Sequence, residues 1–92
     1  MIKSFAHKGL ERFYRTGSKR GVQAVHCKRL GLILALLEQA RTIADMHAPG
    51  LALHALAGDL AGQWAVTVQA NWRVVFRFSN GDAELVNCLD YH

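Results

Sequence analysis

A chain of 92 residues, 51% hydrophobic and 20% charged, has material for one hydrophobic core and a composition that excludes disorder. Its longest apolar run, Leu30 to Leu37, contains Gly31 and stops at Glu38, short of the ~18 to 20 residues that span a membrane. MIKSFAHKGL also lacks the apolar centre of a secretory signal, so a single domain over 1–92, cytoplasmic and without membrane contact, is expected.

The net charge of +4 conceals an asymmetry. Residues 1–29 carry Lys3, Lys8, Arg12, Arg15, Lys19, Arg20, Lys28 and Arg29 against Glu11 alone, a balance of +7; residues 30–92 carry Arg41, Arg73 and Arg77 against six acids, a balance of −3. A basic lobe of that density suits a polyanion, because each neutralised phosphate releases counterions; a solvated helical face explains it equally well. Cys27 and Cys88 form no CxxC pair, and His7, His26, His47, His54 and His92 show no close ligand spacing. Reduced, core-filling thiols and no metal or other cofactor are therefore expected.

Met1 to Phe5 suits a short edge strand. Lys8 to Thr16 sets Leu10, Phe13 and Tyr14 along one helical face, with Gly17 as C-terminal cap. From Lys19 to Ala40, Val22, Val25, Ile33, Leu36, Leu37 and Ala40 recur at spacings of 3 or 4, joined by Leu30 and Leu34, predicting a second amphipathic helix. Gly31 within it costs about 1 kcal/mol relative to Ala, less than one buried leucine returns. Thr42 and Asp45 resemble a capping box over a short turn, and Ala48-Pro49-Gly50 ends the helical periodicity.

After Gly50 the period becomes two. Trp64, Val66 and Val68 alternate with Ala65, Thr67 and Gln69; Trp72, Val74, Phe76 and Phe78 alternate with Arg73, Val75 and Arg77. Gln69-Ala70-Asn71 is a tight connection, Asn80-Gly81 favours a type I′ hairpin, and Ala83 to Leu89 makes the last strand. The fold expected is α+β: two N-terminal helices packed on one face of a four- to five-stranded, mainly antiparallel sheet.

If Trp72, Val74 and Phe76 point at the helices, Arg73 and Arg77 point away, and by the same parity His54 reaches that open face. Asp90-Tyr91-His92 follows the final strand. Imidazole, guanidinium, phenol and a second imidazole suit RNA cleavage by transphosphorylation. A base takes the 2′-OH proton, an arginine holds phosphate charge in its planar fork, and an acid protonates the leaving 5′ oxygen. Singly, a lone histidine or a strand arginine is more often structural or solvated.

The stretch LHALAGDLAGQWAVTVQANWRVVFRF, the NGDA turn, the closing DYH and the opening MIKSF.HKGL.RFY.TG together resemble the HigB toxins of HigB/HigA toxin–antitoxin modules, within the RelE superfamily. The resemblance runs from Met1 to His92. It implies a RelE-like compact domain that enters the ribosomal A site and cuts mRNA there, held in check by a HigA-type helix-turn-helix antitoxin. Operator DNA would be met only through the antitoxin complex. Carried over position by position, it places catalytic histidines at His54 and His92, a phosphate-binding arginine at Arg73, supporting catalytic roles at Asp90 and Tyr91, and RNA contacts at Asn71, with Arg77 beside it in β-parity. Where the family pattern reads LHPLKGD, this chain reads LHALAGD: Ala57 stands for the usual lysine, Ala55 for the proline, and Leu60 and Ala61 occupy positions often basic. Loss of an ammonium beside the phosphate removes electrostatic stabilisation worth a few kcal/mol in a water-poor site. Two readings follow: a weakened ribosome-dependent endoribonuclease, or an attenuated homologue that mainly binds antitoxin and modulates operon repression. A third, a free nucleic-acid-binding domain using the Lys3 to Arg29 lobe, predicts steep salt dependence on naked nucleic acid.

Overall fold

The computed structural model describes residues 1–90, so Tyr91 and His92 lie outside the described residues. Helix α1 spans Lys8–Thr16 and α2 spans Cys27–Gln39; strand β1 spans His54–Ala55, β2 Gln63–Gln69, β3 Trp72–Ser79 and β4 Asp82–Asp90. The strands lie in the order β1-β2-β3-β4 with every neighbouring pair antiparallel. Ile2 and Phe5 make isolated parallel bridges to Ala83 and Val86. The opening residues thus follow the outer edge of β4, as an edge element of two bridges rather than a full strand.

The first helix has the predicted bounds. His7 caps it, its Nδ1 accepting the Leu10 amide at 2.9 Å, and Gly17 closes it at φ 77°, its amide donating to the Phe13 carbonyl at 2.9 Å. The second helix starts eight residues later than the periodicity suggests. A 3₁₀ turn over Ala24–His26 precedes it, and Val25, counted on the apolar stripe, is 68% exposed. The physical reason is Gly21: its backbone passes so close to Gly9 of α1 that a Cβ on either would overlap the other's main chain. A turn at Gly21 seats that contact, and regular α-helix begins only at Cys27.

Leu10, Leu30, Ile33, Leu34 and Leu37 from the helices close over Val66, Val68, Val74, Phe76 and Val86 of the sheet. At about 1.5 to 3 kcal/mol for each large side chain, this burial outweighs the local cost of Gly31, which faces open space. The predicted capping box at Thr42 and Asp45 forms, Asp45 Oδ2 accepting the amides of Arg41 and Thr42 at 2.9 and 3.1 Å. Asn80 and Gly81, at φ 53° and 81°, join β3 to β4 with the two left-handed residues of the predicted hairpin.

The far side of the sheet is less open than its alternation suggests. Leu56, Ala65 and Val75 form a second buried cluster, with Leu60 and Leu89 packed against it. The short loop between β1 and β2 folds back over that face, and the Leu56 amide donates to the Gln63 carbonyl at 2.9 Å. The helices cover one face; this loop partly covers the other.

Candidate functional site

Strand register fixes which side chains share the far face. His54 pairs with Ala65, Ala65 with Val75, and Val75 with Asn87, forming one cross-strand row. Thr67, Arg73 and Leu89 form the next row on one side, and Gln63, Arg77 and Glu84 the next on the other. Residues paired across a ladder point the same way. The predicted grouping of His54, Arg73 and Arg77 on one face therefore follows from the ladder. With strands ~4.8 Å apart and rows two residues apart, His54 lies roughly 12 Å from Arg73 between Cα atoms. Long side chains reaching inward from those positions can span a single phosphodiester.

His54 is exposed, and its Nδ1 lies 3.0 Å from the Ala52 carbonyl oxygen. A carbonyl only accepts, so Nδ1 carries the proton of this contact. In the neutral ring Nε2 then holds the lone pair, the form a proton acceptor needs. Ala52 takes φ 50° to present that oxygen, and the Thr67 amide secures the neighbouring Leu51 carbonyl at 2.7 Å.

Arg73 is half-buried. Its Nη1 donates to the Ala70 and Trp72 carbonyls at 2.6 and 3.1 Å, which draws the guanidinium toward the turn between β2 and β3. Its Nε is buried with no hydrogen-bond partner. A cationic donor left without an acceptor in a folded protein is costly, and the enclosed Nε is a local cost that the placement of this guanidinium carries. Arg77 is exposed, and one of its terminal nitrogens sits within van der Waals range of where a Cβ on Gly62 would lie, 3.8 Å away. Its charge therefore borders the loop that carries Ala57, itself exposed at the start of a 3₁₀ turn over Gly58–Leu60.

Asn71 sits in the β2–β3 turn, and Asp90 is the last residue of β4, one position beyond the predicted end of that strand. Asp90 pairs with Trp72. By register it has the parity of the helix-covered face, not that of Arg73, so the ladder does not bring it onto the face of His54, Arg73 and Arg77. The predicted Tyr91 and His92 lie outside the described residues.

Two features of the site escape the sequence pattern. Leu56 and Leu60, four apart, clamp the Ala57 loop against Ala65 and Val75; their spacing is indistinguishable from a helical pair. Arg29 counts in the sequence only as charge, yet it ties the loop before His54 to β2. Clefts of about 700, 250 and 240 Å³ are lined by other residues, the largest between Met1, Glu38, Arg41 and Asp82. Among the described residues no group of three or more histidines, cysteines or acids is placed to hold a metal ion, and no helix is long and apolar enough to cross a membrane.

Solved structures share this architecture. YafQ from E. coli strain BL21(DE3) superposes with a TM-score of 0.64 at 12% identity, over 96% of this chain and 89% of that one. A YoeB/ParE toxin from Agrobacterium tumefaciens gives 0.63 at 20% identity, over 99% and 98%. At those identities the likeness is one of fold. The Endoribonuclease HigB of Proteus vulgaris is 44% identical over 92 residues, covering both chains completely. Residues 3–92 match the family described as the RelE-like toxin of type II toxin–antitoxin system HigB. Full-length agreement of sequence, together with a shared arrangement of helices and sheet, has one consequence: this chain belongs to the HigB-like toxin family.

Proposed function

We propose that this chain is the toxin of a type II toxin–antitoxin pair and an endoribonuclease that cuts mRNA in the ribosomal A site. The observation that carries the reading is the presentation of His54, Arg73 and Arg77 on one sheet face in a chain 44% identical to an Endoribonuclease HigB. In the reaction a histidine takes the proton of the 2′-OH, the 2′ oxygen bonds to phosphorus, and the bond from phosphorus to the 5′ oxygen breaks. The second histidine protonates the departing oxygen, leaving a 2′,3′-cyclic phosphate and a 5′-OH end. His54 and His92 share the acid and base roles, and Arg73 holds the phosphate charge with its guanidinium. Asp90 and Tyr91 support them, and Asn71 and Arg77 contact RNA. No step calls on a cofactor.

The site would be completed on the ribosome. A HigA-type helix-turn-helix antitoxin would restrain the toxin in the cytoplasm and carry the pair to operator DNA. Ala57 favours a reduced rate, with Arg77 supplying part of the missing charge beside the same loop. Expression without antitoxin should arrest growth and leave codon-phased cuts in translated messages. Arrest with intact messages would contradict the reading.

A second reading rests on Ala57 itself: an attenuated homologue that acts mainly by binding antitoxin and tuning repression. An Ala57→Lys variant separates the two. A rise from measurable wild-type cleavage supports the weakened enzyme; cleavage appearing from nothing supports the attenuated homologue.

A further inference from the structure

The helix-covered side of the sheet holds a cleft that the proposed reaction does not use. It opens between the start of α1, the segment before α2 and the end of the sheet, encloses about 250 Å³, and is lined by His7, Arg20, Gln23, His26, Trp72 and Cys88 among others. His26 is its least ordinary wall. Only 4% of the residue is exposed, yet its ring nitrogens are not among the fully enclosed polar atoms left without a partner, so what exposure the ring has brings them to the cleft. The ring packs at a tilt on the Trp72 indole, centroids 5.4 Å apart. A ring so deeply seated, with its donor and acceptor open to a cleft, offers them to whatever enters that cleft.

The chemistry of the other walls narrows what that is. Trp72 is half-buried and offers an aromatic surface; Gln23, exposed, can both donate and accept; Arg20, exposed at the rim, suits an anion. Cys88 is a neutral floor, its thiol pushed up to about 11 by burial, so the inner end carries no negative charge. A flat ring with hydrogen-bonding edges and a single anionic tail matches this set. The volume lies below that of drug-sized pockets, which fits one nucleotide rather than a run of them. Strand alternation adds a positional argument: Trp72 faces the cleft while Arg73, its neighbour, faces the other side. The cleft and the phosphate-holding face therefore meet at one end of the sheet, and Asn71 lies in the turn between them.

We propose that this cleft receives one unpaired purine nucleotide of RNA, its base against Trp72 and hydrogen-bonded to His26 and Gln23, its phosphate at Arg20. The inference rests on the reading that the chain acts on RNA, and the RNA is either the message or the ribosome's own. Base stacking on an aromatic side chain with hydrogen bonds to the base edge is how proteins hold single-stranded RNA.

The test titrates AMP, UMP and inorganic phosphate into the full chain carrying Trp64→Phe, so that indole fluorescence reports Trp72 alone, while the ring protons of His26 are followed by NMR. AMP should quench the indole and shift the His26 signals, UMP should bind several-fold more weakly, and phosphate should do neither. Gln23→Ala, at an exposed position, should weaken AMP binding several-fold, and His26→Ala about tenfold where it remains folded. No response to AMP at millimolar concentration, or an equal response to phosphate, overturns the proposal. Cleavage in a translation extract is measured alongside: intact cleavage without nucleotide binding removes the cleft alone, whereas absent cleavage with binding preserved removes the nuclease reading. Weaker cleavage by Gln23→Ala on ribosomes, with equal affinity for naked message, assigns the nucleotide to ribosomal RNA; parallel losses on both assign it to the message.

Discussion

The guanidinium of Arg29, in α2, donates to the Gly50 carbonyl oxygen at 2.6 Å. It also reaches the Thr67 carbonyl of β2 at 3.3 and 3.4 Å. One side chain therefore joins helix, loop and sheet just ahead of the Ala52 carbonyl that holds the His54 ring. Hydrogen bonds from a charged donor contribute about 1.5 to 3 kcal/mol each when protected, and less at a half-exposed position. Arg29→Ala should lower stability by about 1 to 2 kcal/mol in denaturant unfolding and reduce cleavage more than that loss accounts for. Arg29→Lys keeps the charge but not the fork, and should fall between. Unchanged cleavage in a destabilised Arg29→Ala would separate the clamp from the site.

Glu38 makes stability depend on pH. Its Oε1 accepts the Tyr14 hydroxyl at 2.7 Å and the Ile2 amide at 3.1 Å, joining α2, α1 and the N-terminal edge. The Tyr14 hydrogen bond, followed by the Ile2 amide, holds the Glu38 carboxyl below its ordinary 4.5. A folded-state value below the unfolded one means that the charged form favours folding. That contribution is complete above the unfolded value and is lost as pH falls through the lowered one. Burial, then the hydrogen bond to Glu38, raises the Tyr14 phenol above 10, so its share persists at neutral pH and is lost as pH rises through that raised value. Thermal unfolding of Glu38→Gln should therefore show a flatter acid limb than the wild type below about pH 4.5. Identical limbs would contradict the linkage.

Cys27 and Cys88 are free and buried. With its thiol at about 11, Cys88 is about one part in a thousand thiolate at pH 8, some two orders of magnitude less than an unperturbed cysteine. Alkylation of the native chain should be slower than that of the denatured chain by at least that factor. Fast native labelling at Cys88 would show that the cleft beside it opens.

Leu56→Ala should cost about 2 to 4 kcal/mol, since Leu56 is buried in a small cluster with few neighbours able to fill the gap. The same change frees the Ala57 loop over the sheet, so proteolysis between Ala55 and Gly62 should accelerate. A stable, protease-resistant variant would mean that this loop does not depend on the second cluster.

Much of this arrangement was legible because short-range physics dictates it. Asn80-Gly81 names its own hairpin, Gly17 its own cap, and period-two alternation places Arg73 opposite Trp72. Long-range contacts account for what was not. Val22 and Val25 keep helical spacing, but the contact between Gly9 and Gly21 shifts the start of α2 to Cys27. Leu56 and Leu60 cover a face that alternation alone leaves bare. Arg29 spends its charge on two carbonyls distant in sequence, Gly50 in a loop and Thr67 in β2. The outcome at the site is mixed for the same reason: His54, Arg73 and Arg77 follow strand parity, whereas Asp90 lies on the other parity at the sheet's end.

Cleavage of one message in a reconstituted translation system, mapped by primer extension with and without ribosomes, bears most directly on the proposed activity. The wild-type chain should cut at codon-spaced positions only when ribosomes are present. Arg73→Ala and His54→Ala, both folded by circular dichroism, should each lose about a hundredfold or more of that cleavage. Equal cutting of naked message, or full activity in both variants, would contradict it.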